Sequence, residues 1–308
     1  MRHSRHIASI LLCVALLSNA TLTQAQTAAA LQARHTALLP QLSNNQFNQP
    51  LYLESSDDSG ALQGDIFARI DQPFALAGPA LLSVAHWCDL LILHLNVKNC
   101  RTSAMRSGDT LNLAIGRKFD QPLADTYAFE FKYRVAALEP DYQRIVLDAP
   151  SGPLGTSNYR IVLEIGHLDA AHSFLHLSYA YRYGVTARLA MQGYLATIGR
   201  NKIGFTQIGT QPDGQPIYIG SQRGVVERNT MRYYLAIVAY LGALTTPPAQ
   251  QLERRLNDWY ASIERYPAQL HELTRQEYLD MKHREILRQQ TTSAIEQRLA
   301  GRYSPLVR

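Results

Sequence analysis

A series of segments with alternating apolar and polar residues in the middle of the chain constrains the fold most strongly. The clearest is 127–135, where aromatic or branched residues alternate with small or charged ones, a period of two typical of a β-strand with one buried face. Further strands are predicted at 111–115, 143–148, 159–165 and 173–183, separated by short turns. Strands that succeed one another in this way predict an antiparallel sheet with one packed and one solvated face.

The stretch 65–100 precedes these strands and predicts a strand, a helical segment and a second strand. Alternating residues end at Asp71-Gln72-Pro73, where Asp can cap a helix and Pro suits its first turn. An apolar helical segment follows and is expected to end at Trp87. The apolar run from Leu90 to Val97 is then expected to be extended as far as Cys100.

The last part of the chain is predicted to be helical. Residues 231–244 are apolar nearly all round, which favours a helix buried against the sheet and capped by Asn229 or Thr230. After the break at Pro247-Pro248, apolar residues recur at helical spacing, and Thr274 with Glu277 has the pattern of a capping box. The many charges of this tail predict a solvated face.

The segment Ile70-Asp71-Gln72-Pro73-Phe74, followed by a helix ending in Trp87, resembles the opening of the START-like, or helix-grip, superfamily (SRPBCC, Bet v 1-like) of hydrophobic-ligand-binding proteins. In that superfamily a strand, two short helices, a run of antiparallel strands and a long C-terminal helix enclose one cavity. The resemblance covers roughly 51–244 and implies an α+β fold, with an antiparallel sheet gripping a long helix. A helix at 186–198, a hairpin at 204–220 and the appended C-terminal helices would be additions to it.

Residues 1–25 have a basic start, an apolar core and a small-x-small end at Thr23-Gln24-Ala25, which predicts a secretory signal peptide cleaved near Ala25. The predicted division is a signal peptide (1–25), an N-terminal arm (26–50), a START-like ligand-binding domain (51–246) and a helical C-terminal extension (249–308). The expected location is periplasmic or secreted.

Only two cysteines, Cys88 and Cys100, follow the predicted leader. In an oxidising compartment such a pair predicts a disulfide bond between the end of the helix and the next strand. A metal site that also uses His86 and His94 is the alternative, but these residues lack the paired short spacings of zinc sites.

The composition excludes some functions and leaves others open. The formal net charge is +5, and Arg2 and Arg5 of the leader contribute two of those charges, so the chain is not expected to bind nucleic acid. No nucleophile elbow, phosphate-binding loop, dinucleotide fingerprint or His-Glu-x-x-His motif is present. No cofactor, metal or catalytic residue is therefore predicted, although histidines paired with distant carboxylates leave an enzyme open.

Tyrosines on one face of the 173–183 strand are the main signal for a binding site. If Tyr179, Tyr181 and Tyr183 face inward they give a cavity both apolar rings and hydroxyls, and otherwise they stack on a helix or lie at a wet rim. Arg232 is not favoured by the helix dipole, so it needs a partner: Glu227, a sheet carboxylate or an anionic ligand headgroup. The full set of candidate ligand-binding residues is Trp87, Phe129, Phe131, Tyr133, Tyr159, Tyr179, Tyr181 and Arg232.

These observations predict an exported protein that binds or transfers a hydrophobic or amphiphilic small molecule, above all a lipid, with transient contact to a membrane surface. Two alternatives stay open. The first is a periplasmic scaffold whose core is filled and whose C-terminal helices bind a protein partner. The second is a cavity enzyme, such as a cyclase or a hydrolase, on the same fold.

Overall fold

The computed structural model describes residues 27–105, 108–196 and 202–302, so the predicted signal peptide lies outside the described residues. The helices are α1 (Ala28–Ser43), α2 (Phe74–Leu82), α3 (Val84–Leu91), α4 (Val185–Ala196), α5 (Ser221–Gly242), α6 (Pro248–Ile263), α7 (Pro267–Leu270) and α8 (Arg275–Arg302). The strands are β1 (Leu51–Asp58), β2 (Ala61–Ile70), β3 (Val97–Met105), β4 (Gly108–Ile115), β5 (Tyr127–Glu139), β6 (Tyr142–Ser151), β7 (Thr156–His167), β8 (Ser173–Tyr183), β9 (Gln207–Thr210) and β10 (Pro216–Tyr218).

Strands β1 to β8 form one antiparallel sheet in the order β1-β2-β8-β7-β6-β5-β4-β3. From β3 to β8 each strand pairs with the next in the chain, as the short turns predict, and β2 pairs with β8 so that Ile66 lies opposite Leu177. Strands β9 and β10 form the separate hairpin predicted within 204–220. The sequence-based prediction of an α+β fold with an antiparallel sheet is therefore confirmed.

The long helix α5 packs on one face of this sheet, mainly against β1, β2 and β8. The helix comes closest at Gly64 of β2, where a Cβ atom would lie 2.4 Å from Thr230 Oγ1. Only a residue without a side chain allows this approach. Because β2, α2 with α3, the strands β3 to β8 and then α5 follow in this order, the predicted helix-grip arrangement is confirmed.

Helix α5 begins ten residues earlier than predicted, at Ser221, so the predicted caps Asn229 and Thr230 are wrong. Its first half is polar but buried, because distant segments satisfy its charged side chains. The carboxylate of Glu227, for example, accepts hydrogen bonds from the Ser55 hydroxyl at 2.6 Å and from the Phe205 N–H at 2.5 Å. Partners so far away in the sequence give no local signal for a helix.

The predicted extended run from Leu90 to Val97 is also wrong. Trp87 lies inside α3, which continues to Leu91, and β3 begins only at Val97. Residues 90–95 are all buried, and in a short run that is apolar on every side the period cannot separate a buried strand from a buried helix.

The predicted disulfide bond joins Cys88 of α3 to Cys100 of β3. The Cα atoms of the two residues are 5.2 Å apart, within the usual range for a disulfide. The bond closes the loop that connects α3 to β3, and His94 lies within that loop.

Helix α1, which the sequence places in an N-terminal arm, covers the face of the sheet opposite α5. Leu31, Leu38 and Leu42 of α1 form a second, smaller core with Phe67, Tyr142 and Phe174 of the sheet. Both faces of the sheet around β2, β7 and β8 are therefore covered.

The C-terminal extension, which the sequence predicts as a set of appended helices, packs back on the rest of the chain. Trp259 of α6 and Tyr278 of α8 are fully buried, stack at 4.9 Å and belong to the main core. The charged face is solvated in part, as at Arg254 and Arg284, but Lys282 and Glu285 are buried with Lys98 of β3 in an ion-pair network. The capping box of Thr274 and Glu277 is confirmed, with the Thr274 N–H donating to the carboxylate at 2.8 Å.

Among the described helices, none alone has the length and apolar character needed to cross a membrane. Helices α2 and α3 meet that criterion only together, as a pair bent by 93°, and by length and composition alone. Both contribute buried residues to the main core.

Candidate functional site

A cavity of about 400 Å³ lies between α5 and the sheet. Its wall is formed by residues of β2, β5, β7 and β8 on one side and of α5 on the other, with α4 and the turn 153–155 beside them. Ligand pockets in proteins typically measure about 300–1,000 Å³. The cavity therefore has the size of a site for one small ligand.

Tyrosines and one phenylalanine make up the apolar part of the lining. Tyr159 and Tyr181 stack with ring centroids 5.0 Å apart, and Phe129 meets Tyr159 edge-on at 4.9 Å. On the helix side, Tyr233 of α5 lies 5.3 Å from Tyr179 of β8. Because side chains alternate along a strand, Tyr159 of β7 and Tyr179 and Tyr181 of β8 lie on the same face of the sheet. The strand pattern thus forms the sheet side of this aromatic wall.

The phenol groups of this wall stay protonated at neutral pH. Burial raises the pKa of Tyr181 and raises the pKa of Tyr179 well above its usual value, and the phenols of neighbouring tyrosines add to the effect. Burial likewise raises the pKa of Tyr233. Each ring thus offers apolar area together with a neutral hydroxyl, which suits an amphiphilic ligand.

A second part of the lining is polar and mostly cationic. We call His94, Lys118, Arg228 and Arg232, together with the neighbouring Glu272, the cavity cluster. The first four residues line the cavity, and Glu272 is their counter-charge from the C-terminal extension. Arg232 is only 1% exposed and donates through Nη2 to Glu272 at 2.9 Å and to the Leu270 carbonyl at 3.3 Å.

Two lysines share the same carboxylate. Lys118 contacts Glu272 Oε1, and Lys202 lies 3.3 Å from Glu272 Oε2. Burial lowers the pKa of Lys118 to about 8, assisted by Arg232 and opposed by Glu272. Burial alone would raise the pKa of Glu272, but Lys118 and Arg232 outweigh it and hold this pKa below its usual value.

His94 is a neutral hydrogen-bond donor in this cluster. Burial, followed by the charge of Arg232, lowers the pKa of His94 well below its usual value. Its Nδ1 accepts the Asn96 N–H at 3.1 Å, so the single ring proton is on Nε2. Within the described ranges, that buried Nε2 has no hydrogen-bond partner.

Five of the eight predicted ligand-binding residues line the cavity: Phe129, Tyr159, Tyr179, Tyr181 and Arg232. The structure places the other three elsewhere in or beside the core. The Trp87 indole donates to the Leu81 carbonyl at 2.9 Å, Phe131 is buried, and the Tyr133 hydroxyl donates to the Leu82 carbonyl at 2.5 Å.

Sequence reasoning missed most of the cavity cluster. Arg232 was expected to need a partner, but Glu272 was not among the three considered, because forty residues and two helices separate them. Lys118 and Arg228 carry no local signal that distinguishes them from solvated charges. Tyr233 could have been included, since it adjoins Arg232 in the predicted helix.

On the opposite face of the sheet lies a second ionic group, the sheet cluster, formed by Asp65, Tyr142, Glu164 and His176. His176 Nδ1 is 2.7 Å from Glu164 Oε2, and its Nε2 is 2.9 Å from Asp65 Oδ1. The Tyr142 hydroxyl donates to Glu164 at 2.5 Å, and Phe67 stacks on the imidazole at 4.2 Å. His176 is therefore a buried histidine whose two ring nitrogens both have a partner.

No group of three or more histidines, cysteines or carboxylates suited to hold a metal ion occurs in the part of the chain that the structure describes. Cys88 and Cys100 are engaged with each other, so the alternative of a metal site with His86 and His94 lacks its thiolates.

No protein-family model and no curated protein matches the chain. Similar solved structures include a START superfamily protein from Mycobacterium smegmatis (11% identity, TM-score 0.32, 45% of this chain and 88% of that one). Human StAR-related lipid transfer protein 5 has 8% identity and a TM-score of 0.30 over 55% and 89% of the two chains. Norcoclaurine synthase from Thalictrum flavum has 9% identity and a TM-score of 0.31 over 48% and 80%.

The fold assignment rests on the order of the elements and on the sheet topology. On that ground, the chain has the helix-grip fold of the START-like proteins.

Proposed function

We propose that the protein is an exported carrier that binds a hydrophobic or amphiphilic small molecule, a lipid in particular, in the cavity between α5 and the sheet. The observation that carries this proposal is the aromatic wall of Tyr159, Tyr179, Tyr181 and Tyr233 around about 400 Å³ of space. A protein whose core is its working scaffold would fill that space with its own side chains, because interiors are close-packed. The cavity therefore favours a binding protein over a scaffold.

Affinity would come mainly from apolar area removed from water, about 0.8 kcal/mol for each buried CH₂ group. A lipid chain cannot cross water unprotected without losing that free energy, and a cavity with an apolar lining supplies the protection. Export is inferred from the basic, apolar and small-residue pattern of 1–25, and the disulfide bond is consistent with an oxidising compartment.

Transient contact with a membrane surface is part of this proposal. Leu154 lines the cavity and is exposed, and next to it α4 presents the exposed side chains of Val185 (76%) and Leu189. Exposed apolar residues beside a cavity are suited to touch the lipid surface from which a ligand enters.

The decisive experiment is native mass spectrometry of the protein isolated from its secretory compartment, with organic extraction of what co-purifies. A stoichiometric apolar molecule is expected. Single-chain amphiphiles of increasing length should then bind about fourfold more tightly for each added CH₂ until the cavity is full.

A protein that carries no such molecule and binds none of the series would contradict the carrier and favour the scaffold. Recovery of a ligand together with a product that the protein forms from it would favour the cavity enzyme.

A further inference from the structure

We infer that the ligand is a single-chain amphiphile with an acidic oxyanion headgroup, a carboxylate or a phosphate, which binds Lys118, Arg228, Arg232 and the Nε2–H of His94. This inference rests on the proposed function and specifies its ligand class.

The first argument is the balance of charge around the cavity. Lys118, Arg228 and Arg232 all line it, whereas Glu272 is the carboxylate that pairs with two of them and also with Lys202. Among the described residues, the single carboxylate of Glu272 is therefore shared by three cations, Lys118, Lys202 and Arg232. Buried charge of one sign is unfavourable unless it is matched, so an added anion would be stabilised at this end of the cavity.

Glu227, the carboxylate of α5, does not neutralise the cations of the cavity, since its two oxygens are engaged by neutral donors. They accept from the hydroxyls of Ser55 and Thr206 and from the backbone N–H groups of Phe205 and Thr206, at 2.5 to 2.9 Å. This carboxylate holds the start of α5 against β1 and the 203–206 segment. It is not positioned by the cations of the cavity.

The second argument is independent of charge and comes from His94. The ring is 2% exposed and stacks on Tyr233 at 4.7 Å, so its position is fixed. Its Nε2–H is a buried donor without a protein acceptor in the described chain, and the residue lines the cavity. A buried donor is nearly always satisfied in a folded protein, and a ligand oxygen would satisfy this one.

The third argument is the length of the cavity along α5. Its helix-side lining runs from Gln222 to Tyr233, with Arg232 near the far end of that range and Arg228 near its middle. At 1.5 Å of rise per residue, the ten residues from Gln222 to Arg232 span about 15 Å, roughly the extended length of a twelve-carbon chain. Together with the modest volume, this favours one acyl chain over the two chains of a phospholipid.

The test compares four twelve-carbon probes that differ only in the headgroup: dodecanoate, dodecyl phosphate, dodecanol and dodecyltrimethylammonium. Their binding to the purified, lipid-free protein is measured by titration calorimetry at pH 7. The two acids should bind at least about tenfold more tightly than the alcohol, and the ammonium probe should be weakest. The tighter of the two acids identifies the headgroup as carboxylate or phosphate.

Equal affinity for dodecanol and the acids would overturn the oxyanion inference while leaving the carrier intact. A preference for the ammonium probe would overturn it as well. Failure of all four probes to bind would overturn the carrier and this inference together.

Three variants separate the headgroup site from general damage. Lys118→Met should weaken dodecanoate about tenfold, whereas Glu272→Gln should strengthen it, because removing the carboxylate leaves more positive charge facing the ligand. Lys202→Met is the matched control: Lys202 pairs with the same carboxylate but does not line the cavity, so its effect should be smaller. Dodecanol affinity should stay constant in all three.

Thermal unfolding of each variant confirms that it is folded before its affinity is compared. Unchanged dodecanoate affinity in folded Lys118→Met and Glu272→Gln would overturn the inference. So would an equal loss for dodecanol and dodecanoate in Lys118→Met, which would indicate damage to the cavity as a whole.

Discussion

The cavity cluster and the sheet cluster lie on opposite faces of the same sheet, and both bury charged groups. In the sheet cluster, both ring nitrogens of His176 meet a carboxylate, and Tyr142 satisfies Glu164 further. In the cavity cluster, several cations meet one carboxylate and the Nε2 of His94 has no acceptor among the described residues. A saturated cluster stabilises the fold, whereas a cluster with an unsatisfied donor, here the Nε2–H of His94, is suited to bind a further acceptor.

The same contrast appears in what covers the two clusters. Phe67 and α1 close over the sheet cluster, with Arg34 of α1 placed 4.7 Å above the Phe67 ring. The cavity cluster instead adjoins about 400 Å³ of space. We therefore expect changes in the first to affect unfolding and changes in the second to affect binding.

The largest effect is expected from His176→Leu. The change leaves the carboxylates of Asp65 and Glu164 buried without the imidazole between them, and Arg144, 4.0 Å from Glu164, compensates only one of the two, so the free energy of unfolding should fall by about 3–5 kcal/mol. Urea denaturation measures this, and the exposed His167→Leu is the matched control. Dodecanoate affinity of the folded fraction should be unaltered. A loss of binding without a loss of stability would break the distinction between the two clusters.

The next effect concerns the disulfide bond, which closes the loop that carries His94. Replacing Cys88 and Cys100 together by Ser should lower the free energy of unfolding by about 3 kcal/mol, the usual value for a loop of this size. Because the loop positions a headgroup donor, dodecanoate should also lose more affinity than dodecanol. Calorimetry on the folded variant tests this, and equal losses would show that the loop is only structural.

The pH dependence of binding should differ between charged and neutral probes. Lys118, with a pKa of about 8, is charged below that pH and neutral above it, while Arg228, Arg232 and Glu272 keep their charges. Dodecanoate affinity should therefore fall as the pH rises from 7 to 10, by about tenfold, and dodecanol affinity should not. A parallel fall for both probes would place the titration in the fold and not in the headgroup site.

The sheet cluster predicts a pH dependence of stability instead. Burial alone would lower the pKa of His176, but its bonds to Asp65 and Glu164 outweigh burial and raise it. Since the folded pKa lies above the unfolded value, this contribution is fully present below about 6.5 and is lost as the pH rises through the raised pKa. The difference in urea midpoint between the protein and His176→Leu should shrink over that range, and a constant difference would contradict the assignment.

The smallest effect is expected at the rim of the cavity. Leu154→Asn combined with Val185→Ser removes exposed apolar area, and Asn tolerates the left-handed backbone of residue 154 (φ +57°). Transfer of dodecanoate from anionic vesicles should slow severalfold with little change in equilibrium affinity. Leu138→Ser, which is exposed but does not line the cavity, is the control. Equal rates for all proteins would remove membrane contact from the proposal.

Local patterns were sufficient for much of the fold. The period of two in β5, the hairpin within 204–220 and the Thr274–Glu277 capping box each involve neighbours within a few residues, and the structure confirms them. The early start of α5 and the helical continuation to Leu91 were not predictable in this way. Both depend on partners far away in the chain or on burial from all sides.

The candidate site likewise has one part that local patterns predict and one part that they do not. Strand alternation places Tyr159, Tyr179 and Tyr181 on one face, so the aromatic wall could be predicted from the sequence. The cationic end could not, because Lys118, Arg232 and Glu272 come from three separate segments. The sequence does not distinguish a charged residue that is hydrated at the surface from one that is paired with a buried partner.

The sequence by itself determined the antiparallel sheet, the long apolar helix and the two cysteines that pair, since periodicity and composition are properties of short segments. Only the tertiary structure decided that the extension packs into the core, that Glu272 reaches Arg232, and that one ionic cluster is saturated while the other is not. These facts depend on distances between residues remote in the chain, and only folding sets such distances.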